Sequence, residues 1–189
     1  MNSRPRLRRF VLTAHIVSSV GWLGAVAVFV VLSVVGLTSQ DAQVVRAVYL
    51  SMEPAGWAAL VPLSLASLLT GLVQSLGTKW GLFRHYWILF KLLINVAATI
   101  VLLMYMQTLS FLAGIAAKTA TSSGDLGGLR SPSPLIHAGL GLLLLLVAAT
   151  LSVYKPRGMT RYGQRKQHEL RTGGVLVEGP DERVQPDAA

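Results

Sequence analysis

Five groups in this chain could do chemistry and sit inside otherwise apolar sequence: His15, Gln74, Lys91, Asn95 and His137. An ionisable or strongly polar group within a lipid-facing stretch is costly, so it normally faces other protein and marks a site. Lys91 poses the question most sharply, because it lies in HYWILFKLLINVAATIVLLMYM with Asn95 one turn later. Residues three, four and seven apart share a helix face. That rule gathers His15, Ser18, Ser19 and Trp22 into one stripe, Ser67, Thr70, Gly71 and Gln74 into a second, and Trp87, Lys91 and Asn95 into a third. Converging stripes would make a polar pocket rimmed by Trp22 and Trp87. His15, Gln74 and Lys91 each lie five to seven residues from a neighbouring cation (Arg9, Lys79, Arg84). At about 1.5 Å per residue this places all three roughly 7–11 Å into the membrane from the same side. His137 opens the last apolar block, from the opposite side. The bland readings are a snorkelling Lys91, a helix-bridging Gln74 and His15, and tryptophans that only pack or sit in an interfacial belt.

The elements that must hold these groups follow from composition. Of 189 residues, 52% are hydrophobic and 13% charged, against about 25% charged in soluble domains. The apolar residues come in four blocks, about 10–37, 55–76, 85–109 and 134–154. Each is long enough for the roughly 30 Å hydrocarbon core. The first is too long for a signal peptide. Backbone groups have no water to bond in lipid, and blocks this uniformly apolar do not alternate as barrel strands do. The expectation is an all-α, integral membrane four-helix bundle over residues 1–160. Pro62 should kink the second helix, and Pro134 suits the first turn of the fourth. The loop 110–133, rich in Ser, Gly and Pro, and the tail 161–189 should be irregular.

Lys and Arg set the orientation. Eleven fall in the N-terminal segment, the 77–84 loop and the stretch 155–166, against three (Arg46, Lys118, Arg130) in the other loops. Both termini should be cytoplasmic, in a bacterial inner membrane. The net charge of +9 then reflects topology and anionic lipid rather than nucleic acid. There is no cysteine, hence no thiolate metal site or nucleophile. No nucleophile elbow, phosphate loop, zinc spacing or carboxylate pair is present, which removes hydrolase and NTPase readings.

The stretch HIVSSVGWLG at His15–Gly24, together with the W-x-x-x-K spacing of Trp87 and Lys91, resembles the superfamily of HemJ-type protoporphyrinogen oxidases and CopD-like copper-resistance membrane domains. In length and layout, including YKPRGMTRYG at 154–163, the chain is closer to a bacterial family of integral membrane proteins without assigned function. The resemblance covers roughly residues 10–160 and implies a four-helix membrane domain in which His15 and Lys91 are the functional pair and haem b is the cofactor. HemJ-type chains carry a further histidine in the third helix, and 95–106 has none, which argues against protoporphyrinogen oxidation. Copper(I) prefers soft sulfur ligands, and only Met104 and Met106 lie close together. The expected site is therefore a tetrapyrrole or quinone pocket. His15 would ligate haem iron, Lys91 would pair with a propionate, Trp22 and Trp87 would stack, and Gln74 and Asn95 would add polar contacts. The alternative is a non-catalytic scaffold, assembly partner, homo-oligomer or small transporter subunit. It rests on the small polar inventory, the absence of a carboxylate in any span, and the small residues Gly21, Gly24 and Ala25.

Overall fold

Long apolar stretches that must satisfy their own backbone groups become helices, and the computed structural model of the protein contains only helices among the described residues, which are 5–77, 86–118, 127–154, 160 and 164–165. α1 is Pro5–Thr38, α2 Ala42–Ala55, α3 Val61–Gly77, α4 Tyr86–Lys118 and α5 Ser133–Tyr154. A five-residue π-turn, Gly56–Leu60, joins α2 to α3, so Ala42–Leu76 is one continuous rod. Four helical rods are thus long and apolar enough to cross a membrane, and the protein is a multi-pass membrane four-helix bundle. Large apolar side chains such as Phe10, Val17, Phe90, Leu93, Leu143 and Val153 point outward, as lipid contact requires.

α1 packs on the α2–α3 rod and on α5, and α4 packs on the same two partners. α1 and α4 are therefore diagonal, and groups on their inner faces meet across the bundle axis. The main core joins Trp22, Val26, Phe29, Met52, Leu60, Met106, Leu109 and Leu145.

The π-turn sits where proline chemistry needs it. Pro62 lacks an N–H, and its ring would crowd the carbonyl four residues back in a regular helix. A widened turn just before it relieves that crowding, with Val61 N–H reaching back to Gly56 O. The widened turn ends just before Pro62, the residue at which the sequence predicts a kink. Gly56 leaves room here for Met106: a Cβ would lie 2.8 Å from Met106 Sδ and Cε, so the end of that side chain would have to move.

Helix ends depart from the sequence reading. The loop expected over 110–133 begins as helix, since α4 continues to Lys118 and buries Leu112, Ala113 and Ala116; residues 119–126 lie outside the described set. The connection expected before residue 55 is α2, capped by Asp41, whose side chain accepts from Gln43 N at 2.8 Å. Both changes share one cause: Val45, Tyr49, Leu112, Ala116 and Leu129 form a second, smaller core. It is strapped by Tyr49 OH to Leu129 O (2.6 Å) and Arg46 Nε to Ala116 O (2.8 Å). The second strap satisfies an orphan carbonyl in the last turn of α4. With this longer rod, Glu53 falls within the second helix, one turn before the π-turn; the expectation of carboxylate-free spans holds only for the shorter segment from residue 55.

α5, with 22 residues, is about 33 Å long and matches the hydrocarbon thickness. Its first residue hydrogen-bonds Tyr105. From that level α4 runs on to Lys118, roughly three and a half further turns. α2 and α4 therefore project past the start of α5 and meet in the second core. The tail expected to be irregular, apart from residues 164–165, and Trp80, His85 and His168 lie outside the described residues.

Candidate functional site

A cavity of about 570 Å³ opens at the end of the bundle where α1 begins and α5 ends, with lining residues from α1, α3, α4 and α5. This is within the roughly 300–1,000 Å³ range of small-molecule sites. α1 contributes Arg8 and His15, α3 Gly71 and Gln74, α4 Trp87, Lys91 and Asn95, and α5 Ser152. Five of the six expected site residues, His15, Gln74, Lys91, Asn95 and Trp87, therefore share one wall system. They meet because α1 and α4 face each other diagonally and α3 closes the side between them.

His15 is 8% exposed and its ring is fixed by α3. Its Nδ1 lies 3.1 Å from Ser67 O and 3.1 Å from Thr70 Oγ1. A carbonyl can only accept, so Nδ1 carries the proton and donates. The neutral imidazole then keeps its lone pair on Nε2. The Thr70 hydroxyl donates to Ala66 O (2.5 Å), which leaves its oxygen free to accept from Nδ1. Gly71 gives the ring its room: a Cβ there would lie 3.0 Å from His15 Cε1. α1 and α3 are stitched further by Ser19 Oγ to Ser67 Oγ (2.8 Å) and by Gln74 Nε2 donating to Val11 O (3.1 Å).

Across the cavity, Lys91 is half-buried and close enough to His15 for their charges to interact. It makes no hydrogen bond or ion pair among the described residues. Asn95, 6% exposed, lines the same space with its amide unpartnered among the described residues. One turn on, the Thr99 hydroxyl is buried with no partner. The cavity thus presents the Arg8 guanidinium, the Lys91 amine, a neutral histidine with a lone pair, and an unused amide. No carboxylate lines it among the described residues. Such a set favours a ligand with an apolar body and an anionic edge.

Trp22 lies elsewhere. It shares the α1 stripe with His15, but two turns along the helix carry it about 10 Å deeper, into the main core and a second chamber. Among the described residues, Trp87 is the one tryptophan that lines the first cavity. Ser18 bonds its own turn at His15 O (3.2 Å). Gly21 packs against Leu63, while Gly24 faces open space. Sequence reasoning passed over Arg8, read only as an orientation charge, and Ser152, near the end of α5; the antiparallel return of α5 is the signal that places Ser152 beside α1. His137 sits at the far end, stacked on Tyr105. No cluster of three or more metal-ligating side chains occurs among the described residues. The chain matches no protein-family model, no curated protein and no solved structure.

Proposed function

We propose that the protein is a haem-binding membrane protein of the bacterial inner membrane, carrying haem b in the cavity at the cytoplasmic end of the bundle. The observation that carries the reading is the tethering of His15 Nδ1–H to Ser67 O (3.1 Å) beside a cavity lined by Lys91 and Arg8 and, among the described residues, by no carboxylate. Ligating histidines characteristically donate their second ring N–H to a carbonyl or carboxylate, which sets the tautomer and the ring plane. The donor set fits the group. His15 would hold the iron through Nε2, Lys91 and Arg8 would hold the propionates, and Trp87 and Asn95 would add contacts from the cavity wall. Haem in this setting supplies one-electron redox chemistry; the side chains bind, orient and exclude water. The cytoplasmic placement rests on the Lys and Arg asymmetry.

Absorption spectra of oxidised and dithionite-reduced protein, purified in mild detergent from haem-supplied cells, test the reading. A Soret band that shifts on reduction is expected, and His15→Ala should remove it. A band retained in that variant overturns the assignment of His15. A featureless wild-type spectrum transfers the weight to a scaffold or transporter subunit in which Lys91 snorkels.

A further inference from the structure

The second chamber, about 310 Å³, lies between α1, α4 and α5, with the α2–α3 rod closing one side, and shares no lining residue with the His15 cavity. Its walls are aliphatic apart from a few groups that do not suit an alkyl filling. At one end is Trp22, which is 3% exposed and whose indole N–H has no hydrogen-bond partner among the described residues. An indole N–H is a donor only, so this donor is unspent. At the other end Tyr105 and His137 stack with ring centroids 4.1 Å apart and planes at 20°. His137 Nδ1–H donates to Ser133 O at 2.9 Å, which leaves Nε2 as an acceptor. The Tyr105 hydroxyl is 3.3 Å from Ser133 Oγ, a long contact that leaves it available to a better partner.

The two ends are separated along the axis. A Cβ on Gly141 would lie 3.8 Å from Val26 Cγ1, so antiparallel α5 carries His137 past Val26 in one direction while Trp22 lies past it in the other. Between α4 and α5 the chamber is flanked by Val101, Leu140 and Leu144, which are exposed to lipid. We infer that this chamber binds the head of an isoprenoid 1,4-quinone. A flat lipid-soluble ring with an oxygen on each of two opposite edges uses both ends at once. One carbonyl accepts from Trp22 N–H and the other from the Tyr105 hydroxyl. In the quinol form the second oxygen donates to His137 Nε2. The apolar tail leaves between α4 and α5. An alkyl chain leaves every one of these groups unused, and a single-headed lipid reaches one end only. The inference does not rest on haem at His15.

The test uses a decyl-tailed benzoquinone and the fluorescence of Trp22, in full-length protein with Trp57, Trp80 and Trp87 changed to Phe. Quinones quench indole emission on contact. Saturable quenching is expected, with affinity reduced at least about fivefold in Tyr105→Phe and lost in Gly141→Leu, which fills the slot. Quenching that rises linearly without saturation, or that is unchanged in Gly141→Leu, overturns the proposal. Displacement by 1-decanol as effective as by the quinone also overturns it, since that marks a generic alkyl slot. Should the background lose its fold, an azido-quinone irradiated with wild-type protein serves instead. Adducts confined to 22–29, 52–60, 97–109 and 134–145 support the site, and adducts only elsewhere overturn it.

Discussion

At the scale of single residues, the site depends on contacts that set the His15 ring. Gly71→Ala would place a Cβ 3.0 Å from His15 Cε1, so the imidazole must shift by a few tenths of an ångström on its tether to Ser67 O. The expected outcome is a weakened or shifted Soret band with unchanged helix content, read by absorption and circular dichroism. Lys91→Met should lower haem affinity about tenfold, near 1.4 kcal/mol, while the Soret maximum stays in place, because the iron ligand is untouched. Thr99 gives the opposite kind of prediction. Its hydroxyl is buried without a partner, and such a group costs about 1–3 kcal/mol in desolvation. Thr99→Val should therefore leave stability equal or higher, and a lower melting temperature in detergent would show that the hydroxyl has a partner after all. Helical spacing made most of this site legible in the sequence, because His15, Gln74, Lys91 and Asn95 are each the polar exception on an apolar face. Trp22 was misplaced because shared face says nothing about depth, and one stripe can pass through two chambers.

At the scale of elements, α2 and the outer run of α4 make a capped end that no hydrophobic tally announces. The signal was present: Asp41 as an N-cap, then Val45, Val48, Tyr49 and Met52 at helical spacing. It was obscured because the search was for lipid-length blocks, and an amphipathic helix that continues one does not stand out. Tyr49→Phe removes the donor to the buried Leu129 carbonyl and should cost about 1–3 kcal/mol, seen as a lower unfolding midpoint, with any haem spectrum unchanged. The π-turn gives a coupled pair. Gly56→Ala drives a Cβ into Met106, and overpacking of this sort costs about 1–3 kcal/mol. Since the clash is with the flexible end of one side chain, Met106→Ala in the same chain should recover part of the loss, and a double-mutant cycle measures how much. Strictly additive losses would show that the contact is not the cause.

At the scale of the whole molecule, four-helix architecture was legible because lipid leaves so few alternatives, whereas helix length was not. Hydropathy reports where lipid ends; the rods end where packing ends. The orientation is open to a direct measurement, since the chain lacks cysteine. A single cysteine at exposed Gln43 should react with a membrane-impermeant maleimide on intact spheroplasts, and one at exposed Arg6 only after lysis. The reverse pattern would invert the topology and move the His15 cavity to the outer face.

The widened turn at Gly56–Leu60 also acts as a phase shifter. A π-turn amounts to one residue inserted into an α-helix, and one residue is worth about 100° of rotation. Deleting one residue between 57 and 60 would remove the extra residue and the widened turn together, so the two rotations cancel and Ser67 and Thr70 still meet His15. Straightening the turn with no deletion would instead turn α3 relative to α2 by about 100°, so that Ser67 and Thr70 no longer meet His15 while Tyr49 still meets Leu129. A straightened rod of unchanged length would thus disrupt the inner end of the protein and spare the outer one.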